Sequence, residues 1–195
     1  SKGADGVELD VFTSSDGVEF VYHSLNMKVN GKKYNVTKCT MAQLRRLKPD
    51  ICTLDEALKV VAGSGVKLWL DLKAGVDGAD CVAAVRKWGL ADRTVYVSFN
   101  LDRLALVRAA DASARLSYTF ESVPKNLSKI IADYRLYGVS PGTGCVTRAL
   151  VDAWHRAGLV VGVWTPNEIM QIKALRDMGV DIICTDYPDR ADAVR

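Results

Sequence analysis

GADGVELDVF, residues 3–12, alternates apolar and acidic side chains with the period of an extended strand. Successive side chains on a strand point to opposite faces, so Val7, Leu9 and Val11 make one apolar side while Glu8 and Asp10 stand together on the other. Two like charges on a strand that the neighbouring pattern wants buried are costly unless water, a basic group or a metal ion meets them. Alone, the pair reads equally well as the wet face of an edge strand.

A second segment changes the balance. VKLWLDLK, residues 66–73, repeats the pattern: Leu68, Leu70 and Leu72 share one face, and Trp69, Asp71 and Lys73 the other. Asp71 and Lys73 by themselves make an ordinary ion pair. If the two strands are parallel neighbours, however, Glu8, Asp10 and Asp71 converge at one rim. Three hard oxygen donors without a histidine or thiolate at ligand spacing suit Mg²⁺ or Ca²⁺ better than Zn²⁺.

The rest of the chain supports a parallel sheet. Thr53 with Glu56 three places on forms a capping box for a helix to about residue 62. Beyond strand 66–73, strands at 94–98, 114–118, 137–140, 159–165 and 180–185 alternate with helical patterns near 78–88, 101–109, 124–134, 147–157, 167–177 and 188–194. Strands separated by such helical stretches imply βαβ units. With strand 5–11 the count is seven, one short of a closed (β/α)₈ barrel, and a doubly wound sheet lacks its GxGxxG turn. SSDG at 14–17 turns the first strand into a short return strand, VEFVYHS at 18–24. Residues 25–52 read as polar and irregular apart from a helical run at MAQLRRL, so about 14–52 is an insertion in one domain spanning 1–195.

Composition narrows the function. The 195 residues are 49% hydrophobic and 25% charged, enough for one sizeable core. A net charge of +3 from 26 basic and 23 acidic residues without a basic track speaks against a nucleic-acid partner. Five dispersed cysteines without CxxC fit reducing conditions, hence a cytoplasmic location, and no apolar run is long enough to span a bilayer. His155, in a helical pattern, reads as structural or solvated; Asp186 and Pro188 read as loop-shaping residues. Asn100 reads either as a pocket neighbour or as a helix cap.

Taken in order, GADGVELDVFTSSDGVEFVYHS, the LDLK strand, VSFN, GVWTPNE and GVDIICTDYPD resemble the glycerophosphodiester phosphodiesterase family of metal-dependent TIM-barrel enzymes. The resemblance covers almost the whole chain. It implies a TIM (β/α)₈-type barrel lacking its first β/α unit. It also implies hydrolysis of small-molecule glycerophosphodiesters to glycerol 3-phosphate and an alcohol, within lipid and glycerol metabolism. By the same likeness Glu8 and Asp10 are metal ligands for Ca²⁺ or Mg²⁺, Asp71 takes the third ligand's place, and Lys73 faces the phosphate. The likeness makes His23 one of two catalytic histidines, acting with Lys73, and places Trp164 on the substrate pocket; Phe99, directly after strand 94–98, reads as a residue bordering that pocket.

Three departures qualify the likeness. Ser24 follows His23 where the family has aspartate, so the imidazole is expected to lose a partner. Asp71 stands where the family usually has glutamate, a place at which the related sphingomyelinase D group accepts aspartate. The family's H-R-G motif, with its second histidine, has no counterpart from Ser1 onward, so reduced activity is expected of this chain. The competing readings are a sphingomyelinase D-like phospholipase and a catalytically inactive binding barrel.

Overall fold

The computed structural model describes residues 3–194, which form two compact units. One holds residues 6–96 and 105–114; the other holds residues 3–5, 97–104 and 115–194.

In the first unit, β1 (Gly6–Thr13) lies between two partners. The return strand β2 (Glu19–Val21) runs antiparallel to it, with Val11 opposite Val21 and Phe12 opposite Phe20. Two further strands follow, β3 (Asn26–Val29) and β4 (Lys32–Asn35), then helices α1 (Met41–Leu47) and α2 (Leu54–Ser64). Strand β5 (Lys67–Leu72) pairs parallel with β1, and helix α3 (Gly78–Lys87) follows it. Strand β6 (Thr94–Ser98) and helix α4 (Leu101–Ala110) each carry residues of both units.

The second unit continues the alternation with β7 (Arg115–Phe120), α5 (Leu127–Tyr134), β8 (Gly138–Pro141) and α6 (Arg148–Arg156). It closes with β9 (Val160–Trp164), α7 (Ile169–Asp177), β10 (Ile182–Cys184) and α8 (Pro188–Asp192). Strands β7, β8, β9 and β10 pair in that order, all parallel. Each of the seven expected strands is therefore formed, with ends shifted by a residue or two. His155 is exposed on α6, and its Nε2 lies 2.9 Å from Asp181 Oδ2, the oxygen that also accepts the Val161 N–H.

Local chemistry explains the helix starts. Thr53 Oγ1 accepts the Glu56 N–H while the Glu56 carboxylate accepts the Thr53 N–H, a reciprocal cap that contributes about 1 kcal/mol. Gly65 ends α2 at φ +77°, a conformation that a side chain disfavours. Thr40 and Gln43 build the same box on α1.

Residues 25–52 correct the expectation of an irregular insertion. The hairpin β3–β4 turns at Asn30-Gly31, both with positive φ (+48° and +78°), as a two-residue hairpin turn requires. Its flanks are mostly polar and only Met27 is buried, so the strands leave no alternating signal. The segment also has its own apolar cluster, in which Met27, Val36, Met41, Leu44 and Ile51 pack with Phe12 and Phe20.

Phe20 is fully buried in that cluster and holds β2 against β1. We expect Phe20→Ala to cost about 3–5 kcal/mol, read as a lowered urea midpoint at unchanged slope. A loss within experimental error would show that the insertion contributes no core.

Candidate metal centre

The apolar faces of β1 and β5 decide where the acids go. Leu68, Leu70 and Leu72 are fully buried, which commits Trp69, Asp71 and Lys73 to the opposite side. The parallel register then sets Asp10 opposite Asp71, with Glu8 opposite Trp69 one pleat back. The Lys73 N–H donates to the Val11 carbonyl at 2.8 Å and carries the ladder one residue past β5.

Three carboxylates converge as a result. One oxygen each from Glu8, Asp10 and Asp71 can be chosen so that all lie within 4.8 Å of one another. Asp10 and Asp71 are buried and Glu8 is half-buried. Lys73 Nζ donates to Asp10 Oδ1 at 2.8 Å and to Asp71 Oδ2 at 2.5 Å.

The electrostatics show an excess of negative charge. Two unit charges about 4 Å apart interact by roughly 4 kcal/mol at an effective dielectric of about 20, so one ammonium does not offset three mutually repelling carboxylates. Glu8 carries the difference. Burial first, then repulsion from Asp10 and Asp71, pushes its carboxyl up to about 8 against the opposing pull of Lys73, and it hydrogen-bonds to Asp10. Burial alone would lower the Lys73 ammonium's pKa, yet Asp71 and Asp10 outweigh that and raise it. Hard oxygen donors, their spacing and the surplus charge all fit a divalent cation, which Glu8, Asp10 and Asp71 would hold.

The structure thus gathers four of the residues singled out from sequence. His23 is placed by backbone: the Tyr22 N–H donates to the Asp10 carbonyl at 3.0 Å, so His23 follows one residue beyond that contact. Its ring is exposed, and its hydrogen bond is to Ser24, with Nδ1 3.2 Å from Oγ. The expectation that Ser24 leaves the imidazole without a partner is therefore corrected. A hydroxyl adjacent in sequence reaches the ring nitrogen by itself.

Phe99 and Trp164 belong to the other unit and meet there, with ring centroids 5.4 Å apart and planes at 76°. The Trp164 Nε1–H donates to the Ser140 carbonyl at 2.9 Å. Gly142 pairs with Trp164 through an isolated parallel β-bridge. Sequence reasoning missed Ser140 and Gly142; the SPGTG run at 140–144, just where β8 ends, was the available signal. Phe99 also borders a surface cavity of about 460 Å³ with Tyr118, Thr119, Phe120 and Glu121. Asn100 caps α4, its Oδ1 accepting the Asp102 N–H. Asp186 is tied to Asn167 through side chain and backbone, in keeping with a loop-shaping role.

Comparison with known proteins agrees with this picture. Residues 1–190 match the model of the glycerophosphoryl diester phosphodiesterase family. A glycerophosphodiester phosphodiesterase of Bacillus altitudinis is 29% identical over 215 residues, covering 99% of this chain and 87% of that protein. Among solved structures, a glycerophosphodiester phosphodiesterase from Parabacteroides distasonis shares 26% identity at TM-score 0.84, over 98% of this chain and 84% of the other. An Oleispira antarctica phosphodiesterase, solved with its product sn-glycerol-3-phosphate, superposes at TM-score 0.90 with 23% identity, over 99% of this chain and 85% of its own. The α/β class and TIM-barrel type read from the sequence are those of these structures.

The raised Glu8 carboxyl has a stability signature. Its folded value of about 8 lies above the ordinary 4.5, so between those pH values the folded chain binds a proton that the unfolded chain does not. Stability of the cation-free protein then falls as pH rises, by at most about 1.4 kcal/mol per pH unit for one group. Glu19, raised to about 7 by burial and then by Asp80 and Asp77, adds a fall of the same sign. In chelator, melting temperature against pH is expected to decline from pH 5 to 8, and Glu8→Gln to flatten the decline. Identical slopes for the two proteins would remove Glu8 as the source.

Proposed function

The chain belongs to the glycerophosphoryl diester phosphodiesterase family, a family of phosphoric diester hydrolases, and we propose that it hydrolyses glycerophosphodiesters to glycerol 3-phosphate and an alcohol with a divalent cation, Ca²⁺ or Mg²⁺. One observation carries the reading: Glu8, Asp10 and Asp71 converge beside Lys73 on two parallel strands of the first unit.

Hydrolysis adds the oxygen of water to phosphorus, breaks the bond from phosphorus to the leaving oxygen, and gives that oxygen a proton. The barrier lies in negative charge growing on the phosphoryl oxygens and in an alkoxide that leaves poorly unless protonated. A divalent cation, when bound by the three acids, supplies electrostatic stabilisation of those oxygens. Lys73 contributes a positive charge held in the low-dielectric setting where such a charge counts most.

His23 is the proton carrier in this reading, because imidazole both takes and gives a proton near neutral pH. Ser24 Oγ engages its Nδ1, which leaves Nε2 for the transfer. Its exposed position on the segment that leaves β2 supports contact with a soluble substrate. Phe99 and Trp164 are the proposed apolar contacts of the substrate, the indole oriented by its bond to Ser140.

The test is release of glycerol 3-phosphate from glycerophosphocholine in the presence of Mg²⁺ or Ca²⁺, with glycerophosphoethanolamine as a second substrate. We expect His23→Ala to lower turnover by about 10²- to 10⁴-fold with the fold intact. Asp10→Ala is expected to abolish the cation's effect on both turnover and melting temperature. Cleavage of sphingomyelin without glycerol 3-phosphate formation, or turnover untouched by His23→Ala, would overturn the assignment.

A further inference from the structure

The cation that Asp10 and Asp71 hold in this structure is the Lys73 ammonium, at 2.8 Å from Asp10 Oδ1 and 2.5 Å from Asp71 Oδ2. Those carboxylates are two of the three whose oxygens gather within 4.8 Å, so the lysine and a metal ion draw on the same donors. We propose that Lys73 is the charge filter of this centre: a tethered monovalent occupant that a divalent cation displaces and that Na⁺ or K⁺ cannot.

The argument is one of charge and tethering. Asp10 and Asp71 carry two negative charges and Lys73 returns one, so the pair it bridges is left one charge short, which a divalent ion in its place matches and a monovalent ion does not. Replacing the ammonium by Na⁺ or K⁺ exchanges one unit charge for another. Coulomb attraction gains nothing, the incoming ion loses part of its hydration, and the ammonium, attached two residues from Asp71, competes at the high effective concentration of an intramolecular ligand. A divalent ion doubles the attraction to each carboxylate and overcomes that competition. The displaced ammonium stays at the end of β5, where its charge becomes available to an anion. Lys73 is in this respect a specificity-determining residue for the cation.

The inference rests on the reading of the three acids as cation ligands, and the experiment separates the two. Chelator-washed protein and its Lys73→Met variant are titrated with MgCl₂, CaCl₂, NaCl and KCl at constant ionic strength, by calorimetry and by thermal shift. The unsubstituted chain should respond to the divalent salts alone. Lys73→Met should bind the divalent ions about tenfold tighter or more, the equivalent of about 1.4 kcal/mol, and should acquire a response to Na⁺ or K⁺. Unchanged divalent affinity together with continued indifference to monovalent ions overturns the filter while leaving the ligand reading in place. No divalent binding by either protein overturns both.

Should Lys73→Met fail to fold without a cation, the unsubstituted chain still decides the matter. Its Lys73 ammonium protons, slowed in exchange by two carboxylates, should be observable by NMR in chelator and in K⁺. They should revert to the exchange rate of a solvent-exposed lysine on addition of Mg²⁺. Retention of the slow signal with Mg²⁺ bound overturns the proposal.

Discussion

The parallel pairing of β1 with β5 is the constraint from which the rest of the candidate site follows. Because Leu68, Leu70 and Leu72 are all sealed from solvent, a slip of one residue would turn those leucines outward and carry Asp71 to the wrong face. The register that keeps the leucines buried is also the register that sets Asp71 opposite Asp10. Apolar burial therefore fixes the position of groups that are themselves unfavourable to bury.

Those groups explain the chemistry proposed for the chain. A cluster that is short of positive charge keeps a proton on Glu8 and a lysine between Asp10 and Asp71. Both relieve the repulsion among the acids: the proton does so locally, and the ammonium does so without leaving the chain. Family membership and the α/β fold agree with a phosphodiester hydrolase, and the acids with its need to stabilise charge on phosphoryl oxygens. The exposed His23 ring has the hydroxyl of its sequence neighbour Ser24 at 3.2 Å from Nδ1.

Legibility of the fold varied with how strongly each segment announces its burial. Strands β6 and β9 and helix α2 were readable because a run of apolar residues or a capping box marks them. The β3–β4 hairpin was not, since its strands are largely polar and exposed, and the Asn30-Gly31 turn was its one strong signal. At the site, Glu8, Asp10, Asp71 and Lys73 stood out because charge interrupts an apolar pattern there. Ser140 remained hidden because it acts through its backbone carbonyl, which every residue has.

By itself, the sequence determined which side chains share a face, because strand period and leucine burial leave a single choice for residues 66–73. It also determined, through the ordered motifs, the family and the class of reaction. Only the tertiary structure decided that Asp10 lies level with Asp71, that Lys73 bridges them and that Glu8 is left to bear the surplus charge. Such facts depend on distances of a few ångströms between residues some sixty positions apart, and electrostatic energy at that range is set by geometry that no local pattern encodes.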